Sequence, residues 1–134
     1  MNDYFHIVMT ENELQAMSAV ALAHMGDAVF EILVRGWLCT QGKATGKNLH
    51  RATIEIVCAE SQARRAEKIL PLLTEAEQGV FRRGRNAHLH RIPDHASRAQ
   101  YGAATALECL LGWLYLQDRQ DRINELFSVM MEGE

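Results

Sequence analysis

The sequence has 134 residues, close to one domain in size and long enough to bury a core without disulfide or metal staples. Apolar residues make up 48% and charged residues 23%, with 9 glycines and only 2 prolines, which excludes disordered, collagen-like and turn-rich all-β chains. A net charge of −3 excludes a protein held to nucleic acid by bulk positive charge, but not one with a local basic surface.

The charge is unevenly placed. Residues 1–34 hold five acids and no Lys or Arg, and residues 117–134 hold five acids against two arginines. Between them, Arg82, Arg83, Arg85, Arg91 and Arg98 face one acid, Asp94, in a segment that also holds His88, His90 and His95. Cys39, Cys58 and Cys109 are an odd set in apolar or helical contexts and read as small hydrophobes of a reducing compartment. No N-terminal segment joins Lys or Arg to an apolar run, and the run Ala103–Leu116 is shorter than the roughly 18 residues of a membrane span. The expectation is a cytoplasmic protein with no signal peptide and no membrane partner.

Everything periodic reads helical, so the expected fold class is all-α, as one domain over residues 1–134. Thr10-Glu11-Asn12-Glu13 is a capping box that opens a short first turn. A helix of some twenty residues follows, ending at Gln41-Gly42. Residues 42–46 form a loop, Lys47 to Val57 a further helix, and Ala59 to Leu70 another that Pro71 disrupts. Thr74-Glu75-Ala76-Glu77 is a second capping box, and its helix runs to Asn86. Residues 87–96 are aperiodic and contain Pro93. Ser97 caps a helix to Leu116, with Leu107, Leu110, Leu111 and Leu114 on one stripe, and Ile123, Leu126, Phe127 and Met130 mark the last helix.

Two carboxylates stand where packing alone would not put them. Asp27 lies in Val20–Val34, whose only other formal charge is Glu31, and Glu108 is the only charged residue in Ala103–Leu116. A buried carboxylate must be paired, neutralised or bound to a metal. Two of them on facing helices make an oxygen site of the kind Mg²⁺ prefers, while on pattern alone each could equally face solvent. Gly26 and Gly112 are interior helix glycines, tolerated where another backbone or a ligand comes close. The two helices are therefore expected to pack tightly near both acids.

These residues carry a family resemblance. His24-Met25-Gly26-Asp27-Ala28-Val29-Phe30-Glu31 is similar to the "LGDAVLE" helix of the ribonuclease III family. Thr105-Ala106-Leu107-Glu108-Cys109-Leu110-Leu111-Gly112 is similar to its second catalytic helix, and Ile56–Ala63 resembles the intervening "V-S-x-x-S-x-A" segment. Arg83-Gly84-Arg85-Asn86-Ala87 matches the "RGRNA" of the short Mini-ribonuclease III branch, which has a catalytic domain and no separate double-stranded-RNA-binding domain. The resemblance covers about residues 14–117.

The resemblance implies Mg²⁺-dependent hydrolysis of double-stranded RNA to 5′-phosphate products, with Asp27 and Glu108 as catalytic and metal-binding residues. The larger enzymes carry further acids where this chain has Ala23 and Thr105. Thr105, one turn from Glu108, could contact a metal-bound water or simply pack, and Glu31, one turn after Asp27 on the same face, could stand behind the metal, face the RNA or be a solvated helix charge. A bound Mg²⁺ would lower the pKa of its water and polarise the scissile phosphate. Arg82, Arg83, Arg85, Asn86, His88, His90, Arg91 and Arg98 are the expected RNA-binding residues, with Lys43, Lys47, His50 and Arg51 as an extension. His24 precedes Asp27 by three residues and reads as a packing histidine. The resemblance further implies a homodimer with two sites for the two strands, a role in maturing the ends of large-subunit (23S) precursor ribosomal RNA, and a ribosomal protein as a further partner. The competing reading is a catalytically silent helical dimer that binds RNA or ribosomal protein.

Overall fold

The computed structural model describes residues 2–42, 46–87 and 97–134. Among these residues the elements are helices: α1 (Glu11–Gln15), α2 (Ala19–Thr40), α3 (Gly46–Val57), α4 (Ala59–Ile69), α5 (Glu75–Arg85), α6 (Arg98–Tyr115) and α7 (Gln120–Met130). A 3₁₀ turn, Leu70–Leu72, closes α4, with Pro71 inside it. The one extended contact among the described residues is an isolated antiparallel bridge between Val8 and Gln117, tied by the Met9 N–H donating to the Leu116 carbonyl at 2.8 Å.

Local chemistry sets the helix starts. Thr10, Thr74 and Ser97 each accept from the backbone three residues on, and Glu13, Glu77 and Gln100 reach back to the cap, completing three capping boxes. Ser18 caps α2 in the simpler way, accepting from the Ala21 N–H.

α6 is the central helix. It packs against α2 over the longest contact in the fold and against α5, α4 and α7 on its other sides. Residues from Gly102 to Leu114 are buried on nearly all of its faces, as a helix enclosed by others requires. The main core joins Phe30, Val34, Ile69, Leu107, Leu110, Leu111, Leu114, Leu126 and Met130, and a smaller one joins Leu14, Leu22, Ala23, Val80, Cys109 and Leu116. Phe30 meets Phe127 edge to face, with ring centroids 6.3 Å apart.

Two arginines, Arg65 buried and Arg122 half-buried, tie the helix ends together. Arg65 donates to the Met130 carbonyl, Ser61 Oγ and Glu134, fixing the C-terminus of α7 against α4. Arg122 donates twice to Glu77, at 2.8 and 2.9 Å, and so fastens α7 to the first turn of α5. No described helix is long and apolar enough to cross a membrane. Cys109 is buried as expected, but Cys39 and Cys58 are exposed, because each falls on the outer side of its helix end rather than on the apolar stripe.

Candidate active site

The α2–α6 crossing is built on two glycines. A Cβ at Gly26 would lie 1.5 Å from the Glu108 carbonyl oxygen, and one at Gly112 would lie 2.1 Å from that of Leu22. No side chain can occupy either place, so the two backbones touch. Asp27 follows Gly26 and is rotated by about 100° around the helix, away from the contact. Its position is exposed, whereas the apolar run around it suggested burial. The run is apolar because α2 packs against both α6 and α3, while Asp27 itself is exposed.

Glu108 is half-buried and comes within hydrogen-bonding reach of Asp27. Burial and the neighbouring Asp27 charge together push the Glu108 carboxyl up to about 8. Without a cation, one of the two acids thus keeps its proton near neutral pH. Gln62 of α4 supports Glu108 from behind, with Nε2 at 3.4 Å from Oε2. Gln62 was not among the residues singled out from the sequence. The signal was a polar side chain on the buried stripe Ser61, Gln62, Arg65, Ala66 and Ile69 of α4.

This donor set fits a hard divalent ion. Among the described residues no three His, Cys, Asp or Glu side chains form a metal-holding group. Two carboxylates with room for retained water are what Mg²⁺ commonly takes from a protein, while zinc would want nitrogen or sulfur.

The other predicted residues fall in three places. Thr105 is buried, and its hydroxyl donates to the Tyr101 carbonyl at 2.9 Å, so that proton is committed within α6. Glu31 is paired with Arg35 at 2.5 Å and lines a groove between α2 and α3 with His50 and Thr53. His24 is exposed rather than packed in the core. Arg82, Arg83 and Arg85 occupy the last turn of α5, Asn86 caps it, and Arg98 opens α6; all five are exposed. Among the described residues none of these arginines is ion-paired, and Arg83 donates to the Met17 carbonyl at 3.2 Å. His88, His90, Arg91 and Lys43 lie outside the described residues.

Gly84 holds the arginine turn against the acid-bearing helix. A Cβ there would lie 2.7 Å from the Ala106 Cα and 2.8 Å from the Cys109 Cβ. Ala106 and Cys109 share one face of α6, roughly 100° or more around the helix from Glu108, so α5 and the acid occupy different faces of the same helix. Gly102 makes a second close contact, with its Cβ position 3.3 Å from the Arg85 carbonyl oxygen.

Comparison with known proteins shows the family. A Ribonuclease III domain profile matches residues 20–119. The chain is 42% identical over 109 residues to the Mini-ribonuclease 3 of Symbiobacterium thermophilum, covering 81% of this chain and 84% of that one. It is 36% identical over 123 residues to that of Clostridium tetani (91% and 82% covered) and 42% identical over 117 residues to that of Synechocystis (87% and 80% covered). A crystal structure of a Fusobacterium nucleatum protein superposes with a TM-score of 0.81 at 26% identity, covering 89% of this chain and 97% of that one. The chain belongs to the ribonuclease III family, on its Mini-ribonuclease 3 branch, and is an endoribonuclease of that metal-dependent family, whose members act on double-stranded RNA and typically dimerise.

Proposed function

We propose that residues 1–134 work as one catalytic domain, a Mg²⁺-dependent endoribonuclease that cuts double-stranded RNA and leaves 5′-phosphate ends. The observation that carries this reading is the meeting of Asp27 and Glu108 beside the glycine-lined α2–α6 crossing. These two carboxylates would hold the ion. When bound, the ion would supply charge neutralisation at the scissile phosphate and a more acidic water. The chain's own part is positional. α2 and α6 fix the spacing of the acids, Gly84 seats the arginine turn on α6, and Arg82, Arg85 and Arg98, none of them ion-paired among the described residues, offer cations to RNA phosphates. Duplex RNA is read mainly through its backbone and 2′-hydroxyls, which suits such a surface.

One such site cuts one strand, so a twofold dimer is part of the proposal. Exposed apolar side chains support it: Val20 and Ile32 on α2, Ile54 on α3, and Tyr4, Phe5 and Val8 before α1. The natural substrate in this reading is precursor large-subunit ribosomal RNA, with a ribosomal protein as a further partner. Those two assignments rest on the family resemblance alone.

The test is cleavage of a labelled RNA duplex by the full chain with Mg²⁺ and with EDTA, beside Asp27→Asn and Glu108→Gln, with mass measured by sedimentation. The expected result is Mg²⁺-dependent double-strand cutting by a dimer and loss of cutting in both variants, which remain folded. Near-wild-type turnover by either variant would remove the site assignment. A monomer of about 15 kDa with full double-strand cutting would remove the dimer. Duplex binding without cutting in any divalent ion would favour the silent RNA-binding reading.

A further inference from the structure

Gln62 is an exception among the buried polar groups. It is 3% exposed, on the face of α4 that packs against α6. Its neighbours on that face are satisfied: Arg65 donates to Ser61 Oγ at 3.0 Å and to the Met130 carbonyl at 2.9 Å. Gln62 Nε2 donates to the Val57 carbonyl at 2.8 Å and approaches Glu108 Oε2 at 3.4 Å. Among the described residues its Oε1 has no partner, and it is the one buried side-chain polar atom there so placed.

Both halves of the amide need an account. A buried carbonyl without a donor costs about 1–3 kcal/mol, and an apolar side chain of the same length would avoid that cost. The bond to Val57 fixes the amide's orientation: Nε2 must lie between two acceptors, which leaves Oε1 as the open group. The contact with Glu108 is longer than a tight hydrogen bond, so it steers the carboxylate without saturating it. An orphaned acceptor this close to a carboxylate pair is the kind of place that a tightly held water fills.

We propose that Gln62 is a positioning residue of the Asp27/Glu108 site: its amide N–H holds Glu108 toward Asp27, and its Oε1 accepts from a water in the hydration shell of the bound cation. The inference rests on the metal-site reading above. Partners of this kind behind a metal ligand typically change cation affinity by about 10- to 100-fold. A group kept for packing alone would act on stability instead.

The experiment titrates Mn²⁺ alone into the full chain, without RNA, and follows free Mn²⁺ by electron paramagnetic resonance. Thermal unfolding is measured in EDTA and in saturating Mn²⁺. Wild type is compared with Gln62→Met, which keeps length and removes both polar atoms, and with Glu108→Gln. For Gln62→Met the expected result is an unchanged or higher Tm in EDTA, a Kd weakened by about tenfold, and a smaller Mn²⁺-dependent rise in Tm. A Kd within about twofold to fivefold of wild type, with Glu108→Gln losing binding, overturns the proposal and leaves the metal site standing. So does an equal fall in Tm with and without Mn²⁺ at unchanged Kd. Undiminished binding by Glu108→Gln would overturn the site itself, and the role of Gln62 with it. If Gln62→Met does not fold, Gln62→Asn decides by the same threshold, since its shorter amide cannot reach Glu108 from the same backbone.

Discussion

Gly26 and Glu108 touch through their backbones: a Cβ on Gly26 would fall 1.5 Å from the Glu108 carbonyl oxygen. The residue beside one acid thus abuts the main chain of the other. Gly26→Ala must drive α2 and α6 apart at the one place where their separation sets the site. Overpacking a core costs about 1–3 kcal/mol where side chains can yield, and here the obstacle is backbone, so the expected loss is about 3 kcal/mol or more. Gly36→Ala is the control. Gly36 lies on the same helix with nothing within 4 Å of its Cβ position, and alanine there should stabilise by about 0.5–1 kcal/mol. Urea denaturation of both variants checks the contrast, and equal effects would contradict the close crossing.

Glu108 makes a signed prediction about pH. Its carboxyl is raised from 4.5 to about 8, so the folded chain holds a proton that the unfolded chain releases. Stability without metal should therefore fall as pH rises from about 4.5 to about 8 and then level off. Gln at position 108 removes that cost. Glu108→Gln should be more stable than wild type in EDTA at pH 8, by on the order of 4 kcal/mol, and equal to it near pH 4. Denaturant titrations at the two pH values test this. A less stable Glu108→Gln at pH 8 would mean that the carboxylate is well solvated.

The same shift governs metal uptake. A cation must displace the Glu108 proton, so its apparent Kd should tighten by up to about tenfold per pH unit from pH 6 to about 8 and be flat above. Calorimetry with Mn²⁺ at several pH values would show the slope. A pH-independent Kd would place the ion elsewhere.

Much of this was legible in the sequence because it is local. Thr10 with Glu13 and Thr74 with Glu77 announce helix starts within four residues, and the structure has both boxes. Gly26 and Gly112 signalled a close crossing because an interior helix glycine needs a reason. What stayed hidden depends on docking. Asp27 is exposed although its neighbours are apolar, since hydrophobic pattern does not say which strip of an enclosed helix is left open. Gln62 and Glu108 are 46 positions apart, and no periodicity links them. Glu77 and Arg122 are 45 apart, so Glu77 reads only as a capping residue until α7 is in place.

That pair supplies a stability prediction independent of the site. Glu77 is 2% exposed, caps α5 and accepts twice from Arg122, which holds its carboxyl below the usual range. A carboxyl lowered in the folded state contributes stability at pH above about 4.5, and that contribution disappears as pH falls through the lowered value. Glu77→Ala leaves Arg122 without its main partner and removes a cap, an expected loss of about 3 kcal/mol at pH 7. The gap to wild type should narrow below pH 4. A gap that stays constant down to pH 3 would assign the loss to packing alone.

The arginine turn carries the last prediction. Arg82 and Arg85 are exposed at the C-terminal end of α5, where their charge complements the helix dipole, and among the described residues neither is ion-paired. Arg83 differs, because it already donates to the Met17 carbonyl and helps hold the entry to α2. Arg82→Ala/Arg85→Ala is therefore the cleaner variant for binding, while Arg83→Ala mixes binding with stability. Every RNA phosphate that an arginine no longer neutralises should reduce the slope of log affinity against log salt by somewhat under about 1. The double variant should bind an RNA duplex more weakly at low salt and approach wild type as salt rises. Its Mn²⁺ affinity without RNA should be unchanged, since Gly84 still seats α5 on Ala106 and Cys109. Filter binding across a salt series in Ca²⁺ or EDTA, with no cutting, separates the two effects. An unchanged slope would move the RNA track off α5, toward Lys47 and Arg51 on α3. Weakened Mn²⁺ binding would instead show that the arginine turn shapes the acid pair, and that α5 and α6 act as one unit in both binding and chemistry.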